Sequence, residues 1–312
     1  MKLTTEQTTS HILMVRPVNF GFNAQTAESN AFQKNGEQAE VQQKALQEFD
    51  AFVEILRQNG IEVTVMEDTP EPHTPDSIFP NNWVSFQEDG TVFLYPMQAE
   101  NRRLERKVFR SIKEAFEVKH IFDLSYFEQQ NQFLEGTGSM VLDRENKWAY
   151  ACLSPRTNAE VLAEFCRLSG YKAVTFHAAD QAGKAIYHTN VLMAIGDRFA
   201  VICLDSIPDE AEKVSVKEAL QLAGKETVAI SLEQMNAFAG NMLQLKNQSG
   251  ESLLVLSETA FLSLKEAQIK TLEKYGKLVY NSLNTIETNG GGSARCMMAE
   301  VFLPVKTVSA PG

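Results

Sequence analysis

The sequence predicts a closed α/β ring of five like units, each a β-hairpin followed by a helix and a further strand. Three observations carry that reading. The order hairpin, helix, strand recurs, and the polar mouth of each hairpin falls at Asn81, Thr137, Thr189, Asn241 and Ser293, in steps of 56, 52, 52 and 52 residues. A period of this length signals a propeller or array rather than two unlike domains. The fifth hairpin has one strand and lacks its second, while a strand near the N-terminus has no hairpin. Pairing the two closes the ring and leaves no open repeat edge. Finally, 312 residues of which 44% are hydrophobic make an ample core, with no interdomain linker or low-complexity tract. The chain is therefore read as one domain, 1–312, closed by strand 11–17 against strand 297–303.

The elements follow in order. His11-Ile12-Leu13-Met14-Val15-Arg16-Pro17 reads as a strand stopped by proline. Residues 28–58 are polar, with apolar beats at Ala45, Leu46, Phe49, Phe52, Val53 and Leu56, the spacing of a helix, which Gly60 closes. Residues 61–66 form a strand. A hairpin follows around Glu88-Asp89-Gly90, then a basic helix over 102–118 and a strand over 120–125. The next unit has strands at 134–142 and 148–153, a helix over 158–168 and a strand over 173–176. The third has strands at 188–195 and 199–203, a helix over 209–223 and a strand over 227–230. The fourth has strands at 241–245 and 252–256, a helix over 258–275 and a strand over 278–280. The chain then enters Gly290-Gly291-Gly292 and the last strand.

Twenty-nine basic against forty acidic residues give a net charge of −11, without long like-charge blocks. This argues against nonspecific nucleic-acid binding and against anionic membrane surfaces. No stretch is apolar enough to span a membrane, and the first residues lack the apolar core of a signal peptide. None of Cys152, Cys166, Cys203 and Cys296 forms a CxxC or pairs with histidine at zinc spacing. A reduced cytoplasm is the expected compartment, with no metal and no cofactor called for. A homo-oligomer is left open.

In a ring of repeats, equivalent loops converge at one end of the axis. Glu135, His188 and Cys296 occupy corresponding mouths. Cysteine with histidine supplies a nucleophile and an acid/base, and a buried carboxylate holds cationic or N–H-rich groups. Taken alone, Cys296 would more often be a core thiol; its company at the mouths points to catalysis. Cys152, Cys166 and Cys203 read as core, His73 as solvated, and Trp83 and Trp148 as packing. Arg295 beside Cys296 either tunes the thiol or points away along the strand. Asn241 occupies the fourth mouth with no assigned role.

Several short motifs share a resemblance: Pro75-Asp76-Ser77-Ile78-Phe79-Pro80-Asn81-Asn82, Arg102-Arg103-Leu104-Glu105, Leu134-Glu135-Gly136, Leu153-Ser154-Pro155-Arg156-Thr157-Asn158, His188 and Cys296. Across essentially the whole chain they resemble the pentein, or guanidino-group-modifying, superfamily of arginine deiminases, dimethylarginine dimethylaminohydrolases and amidinotransferases. Residues 12–20 and 79–83 look like its citrulline-utilisation hydrolase branch. The resemblance implies a five-bladed α/β propeller of ββαβ repeats. It also implies a small amino-acid substrate attacked by Cys296, with His188 protonating the leaving amine and activating water and Glu135 bonding substrate nitrogens. By the same resemblance Arg156 and Arg102 hold the substrate α-carboxylate, and Asp76 faces its α-amino group or the chain near it.

The chain departs from the deiminase pattern by placing Asn82 and Asn190 where aspartates are expected, and Gly138 at the end of the EGGD-type segment. Guanidinium offers only donors and suits carboxylates, whereas a neutral ureido group also offers an acceptor. Two asparagines therefore suit citrulline, giving ornithine through a covalent thioester. An arginine deiminase-type enzyme, an amidinotransferase, or a non-catalytic binding ring, such as the ribosome-binding translation factor of this fold, are the alternatives.

Overall fold

The computed structural model describes residues 6–27, 30, 32 and 38–306. Among these, fifteen strands run in chain order: β1 (His11–Arg16), β2 (Glu62–Glu67), β3 (Val84–Phe86), β4 (Thr91–Leu94), β5 (His120–Asp123), β6 (Val141–Asp143), β7 (Trp148–Cys152), β8 (Lys172–Phe176), β9 (Met193–Ile195), β10 (Phe199–Ile202), β11 (Glu226–Ala229), β12 (Leu243–Lys246), β13 (Ser252–Ser257), β14 (Lys277–Asn281) and β15 (Ala299–Glu300). They make five three-stranded sheets, β3-β4-β5, β6-β7-β8, β9-β10-β11, β12-β13-β14 and β15-β1-β2. In each sheet the first pair is antiparallel and the second parallel. The N-terminal strand completes the fifth blade, with Ile12 opposite Glu300 and Leu13 opposite Ala299. The protein is thus a five-bladed α/β propeller.

The closing strands are shorter than expected. Strand 11–17 ends at Arg16, and strand 297–303 is reduced to Ala299–Glu300. Ala294–Met297 is wound into a 3₁₀ turn, and beyond Glu300 one backbone bond, from Val301 N to His11 O at 2.9 Å, continues the pairing before Pro304. Three of the other mouths share this feature. Pro80–Asn82, Gly136–Ser139 and Thr189–Leu192 are single helical turns where the sequence suggested strand starts. Each turn lifts its polar side chains toward the axis before the inner strand begins.

Successive mouths are bonded to one another around the ring. Thr137 Oγ1 lies 3.3 Å from Asn81 Nδ2, Thr189 Oγ1 donates to Ser139 O at 2.6 Å, Asn241 Nδ2 donates to Asn190 O at 2.9 Å, and Arg295 N donates to Asn241 Oδ1 at 3.0 Å. The inner strands follow the same circuit, β15 beside β3, β6 beside β9 and β9 beside β12. Their far ends are filled by a buried polar column. Arg295 Nη2 pairs with Glu300 at 2.6 Å, Glu300 with Arg144 Nε at 3.4 Å, and Gln7 accepts from Arg144 N at 2.7 Å and donates to Leu142 O at 3.0 Å. The axis is a packed core rather than a pore.

One helical segment per unit crosses outside its sheet. Gln38–Gln58 buries Val41, Ala45, Phe49, Phe52, Val53 and Leu56 against β2 and β14; the expected start at 28 lies outside the described residues. Ala159–Ser169 begins where Asn158 Oδ1 accepts from Glu160 N and Val161 N, and Glu210–Leu222 where Asp209 does the same for Ala211 N and Glu212 N. Two expected helices are broken. Residues 102–118 form Glu100–Arg103, a 3₁₀ stretch Leu104–Val108 and Phe109–Ala115. The tightened turn brings Arg102 and Glu105 onto one inward face. Residues 258–275 split into Glu258–Ser263 and Glu266–Leu272, because Leu264 adopts an extended backbone and turns into the core.

Candidate active site

The helix Asn284–Gly290 ends at Gly291, whose φ of +63° is the left-handed conformation that glycine adopts freely. Phe79 packs on the bare backbone beyond: a Cβ on Gly292 would sit 2.9 Å from its ring. The chain can then tuck Cys296 into the 3₁₀ turn, 4% exposed, beneath that close contact. Cys296 Sγ receives Asn241 Nδ2 at 3.3 Å and Asn190 Nδ2 at 3.5 Å. The neighbouring guanidinium of Arg295 goes to Glu300 and to Met298 O at 2.7 Å, down the axis.

His188 and Cys296 line one narrow cleft, part of it open to solvent, with Asp76, Asn82, Arg102, Arg156 and Tyr187. His188 Nε2 lies 2.8 Å from Glu135 Oε2, and both side chains are buried. A carboxylate only accepts, so Nε2 carries the proton and Nδ1 is left as a base in the neutral ring. Burial pushes the His188 imidazole down to about 4, against the opposing pull of Glu135. Burial would raise the Glu135 carboxyl, but Arg156, then His188 and Arg102, outweigh it and hold the group well below the usual carboxylate range.

Gly138 explains how these groups come so close. A Cβ there would stand 2.3 Å from Asn82 Nδ2 and 2.8 Å from His188 Nδ1. The departure from the EGGD-type pattern therefore makes room for both side chains.

The structure brings the other sequence candidates to the same place but engages them in specific ways. Glu135 faces His188, Arg156 Nη1 at 3.5 Å and Gln98 N at 3.0 Å rather than the cavity. Arg102 is spent internally: Nε and Nη2 bind Glu105 at 2.8 and 3.0 Å, Nη2 also reaches Phe79 O, and Nη1 donates to Asn82 Oδ1 at 2.9 Å. Burial opposes its charge, but Glu105 and Asp76 hold the guanidinium above its ordinary value. Because Arg102 can only donate, Asn82 must turn Oδ1 toward it. Nδ2 of Asn82 is then a buried donor without a partner among the described residues, as Asn190 Oδ1 is a buried acceptor without one. Asp76 accepts from Asn23 Nδ2 at 2.7 Å and Thr26 Oγ1 at 3.2 Å, and burial raises its carboxyl. Arg156 stacks 4.8 Å from the Tyr187 ring centre and donates to Thr26 O at 2.9 Å.

Asn241, Tyr187 and the segment carrying Asn23, Thr26 and Asn30 were not assigned to the site from sequence. Asn241 was signalled by its place in the repeat. Residues 19–25 read from sequence only as a candidate lid with no physical sign of closure, and Thr26 and Asn30 carried no signal; folding lays this segment across the cavity, where Asn30 Nδ2 reaches Gly290 O and Gly291 O at 3.3 Å each. Of the remaining cysteines, Cys152 and Cys203 are buried, while Cys166, expected in the core, is half-buried. Among the described residues, no group of three or more His, Cys, Asp or Glu could hold a metal, and no helix is long and apolar enough to cross a membrane.

Five ββαβ blades with cysteine, histidine and carboxylate at the axis define a protein of the pentein, guanidino-group-modifying superfamily. The family model described as eukaryotic N,N dimethylarginine dimethylhydrolase matches residues 16–303, and the chain belongs to that family. Among solved structures, the N-terminal domain of ArgZ is similar. It is an arginine dihydrolase from the ornithine-ammonia cycle in Cyanobacteria, seen as a cysteine-to-serine variant bound to substrate, with TM-score 0.74, 15% identity, and coverage of 93% of this chain and 97% of that domain. AgrE with ornithine and NAD+ gives TM-score 0.75 and 18% identity over 96% of this chain and 40% of that one. The Pseudomonas aeruginosa dimethylarginine hydrolase DDAH, a cysteine-to-serine variant complexed with citrulline, gives 0.60 and 14% over 95% and 100%. The chain spans about two fifths of the longer ArgZ and AgrE chains. No curated protein sequence matches significantly.

Proposed function

We propose that the protein is a cysteine hydrolase of the ureido group of citrulline, yielding ornithine, ammonia and carbon dioxide. One observation carries the choice of substrate: among the described residues, Asn82, held by Arg102 at the cavity wall, keeps a buried donor without a partner, and Asn190, whose Nδ2 lies 3.5 Å from Cys296 Sγ, keeps a buried acceptor without one. A ureido group answers both, its carbonyl oxygen accepting from Asn82 and its NH2 donating to Asn190. Guanidinium has no acceptor for Asn82.

In this reading His188 Nδ1 takes the Cys296 thiol proton, and Sγ attacks the ureido carbon. The C–N bond to the ornithine side chain breaks, and the departing nitrogen takes the proton from His188. A carbamoyl thioester remains on Cys296. Water, giving its proton to His188, attacks that carbon; the thiol leaves and recovers the proton, and carbamic acid decomposes to ammonia and carbon dioxide. Glu135 holds the imidazole and stabilises its cation. Arg156 holds the substrate carboxylate, and Asp76 its amino group. Arg102 acts through Asn82. The working unit is the single domain 1–312.

Arginine is the second reading. It is favoured by Asp76 Oδ1, an acceptor that has no partner among the described residues and suits guanidinium, and by the arginine-related proteins that share the fold. Steady-state assays with citrulline, arginine and N,N-dimethylarginine separate the readings. Citrulline is expected to give ornithine, and Cys296→Ala to abolish it. Asn82→Asp is expected to lower citrulline kcat/KM by about 100-fold and to raise arginine turnover relative to it. A large preference of the native enzyme for arginine or its methylated form overturns the citrulline reading.

A further inference from the structure

We propose that Asn241 is a catalytic residue, an amide that, together with Asn190, donates to the Cys296 sulfur and stabilises the negative charge that develops there as His188 takes its proton and the sulfur attacks. This rests on the reading of Cys296 as the nucleophile and adds a group that neither the family's description nor the sequence motifs assign.

The orientation of the Asn241 amide is fixed by its neighbours rather than chosen by the sulfur. Its Oδ1 accepts from the backbone N–H of Arg295 at 3.0 Å, so the oxygen cannot be exchanged with the nitrogen. One hydrogen of Nδ2 is used on Asn190 O at 2.9 Å. The other is directed to Sγ, 3.3 Å away. Asn190 Nδ2 supplies a second donor at 3.5 Å. Two N–H groups aimed at one sulfur favour the anion, because a thiolate accepts both while a thiol is a weak acceptor. When protonated, the sulfur has its own partner in Asn241 Oδ1, at 3.7 Å. One side chain thus serves both protonation states without moving.

Asn241 is 1% exposed and its donors act inside a buried site, where such dipoles count for more than in water. The amide carries no charge, so it stabilises a developing anion without adding a cation that would repel an incoming guanidino or amino group. The charged and titratable groups that also face this cavity are His188 with Glu135 behind it, Asp76, Arg102, Arg156 and Tyr187. On the turn itself, Arg295 is committed to Glu300, and Glu287 accepts from Ser293 Oγ at 2.6 Å. None of these is hydrogen-bonded to the sulfur among the described residues; the two amides are.

The test is the rate of iodoacetamide alkylation of Cys296 as a function of pH, followed by peptide mass mapping that distinguishes it from Cys152, Cys166 and Cys203. Asn241→Asp keeps an oxygen for Arg295 N but removes the donor. It is expected to slow alkylation at pH 7 by about tenfold or more and to move the midpoint of the profile up by about one pH unit. Asn241→Ser, uncharged and smaller, is expected to shift the midpoint in the same direction by less, and carries the test if the acidic variant does not fold. A folded variant that keeps the native midpoint overturns the proposal, as does a uniform fall in rate at all pH values, which is what a merely structural role produces. Alkylation needs no substrate. Failure of citrulline to turn over would therefore remove the substrate reading and leave this one intact, and an unchanged alkylation profile alongside citrulline turnover would do the reverse.

Discussion

In the proposed reading, asparagine does in this site what charge does in the deiminase pattern. Arg102, bound on three sides, orients Asn82, and the fourth and third mouths supply the amides on Cys296. His188 is the titrating member, and the sign of its effect on stability follows from its environment. Its folded value of about 4 lies below the ordinary 6.5, so the unfolded chain binds the extra proton first. The stability His188 contributes is present above pH 6.5 and is lost as pH falls toward 4. By linkage, stability should drop by about 2 kcal/mol between pH 7.5 and pH 5 on account of this group. Glu135, held low, adds a loss of the same sign at still lower pH. Urea denaturation of the native protein and of His188→Gln at the two pH values checks this. The variant is expected to lose that part of the slope, and equal slopes would show that His188 is not the group responsible.

At the scale of elements, the helical turns at the mouths matter more than the blades behind them. Gly136–Ser139 passes so close to its neighbours that Gly138→Ala must push either Asn82 or His188 aside. The cost of such overpacking is about 1–3 kcal/mol, and kcat is expected to fall by at least about 100-fold, because a displacement near 1 Å at the reacting groups has that effect. Gly170→Ala is the contrast. Gly170 ends the helix Ala159–Ser169 at φ +76° with nothing within 4 Å of a Cβ. Its replacement should cost about 1 kcal/mol through backbone strain alone and leave kcat unchanged. Thermal melts and steady-state kinetics of the pair distinguish a crowded catalytic glycine from a merely conformational one.

For the whole molecule, closure depends on a two-residue strand, β15, pinned between β1 and the polar column on the axis. Glu300 is the joint: it binds Arg295, next to Cys296, and Arg144, which also stacks 4.3 Å from Phe302. Burial and two guanidinium partners compete at its carboxyl, and the partners win, holding it below the ordinary value. Glu300→Ala would leave two arginines that are 2% and 8% exposed without that partner. The expected loss is about 3–5 kcal/mol, read as a lowered urea midpoint. Glu300→Gln, which keeps an acceptor, is expected to lose less.

The order of elements, the five-fold period and the closure of the ring by the N-terminal strand were legible in the chain, because hydrophobic periodicity and turn residues act over a few positions and a repeat multiplies their signal. The cysteine, histidine and carboxylate were legible because the period placed them at matching mouths. The broken helices were not: in the tight turn around Leu104–Val108, Arg102 meets Glu105 three residues on and Asn82 across the fold. Nor could the sequence foretell that Glu135 turns to His188, that Arg295 turns from the sulfur to Glu300, or that Asn241 turns toward it. Those choices belong to buried polar groups, each of which takes whichever partner the closed ring brings within about 3 Å.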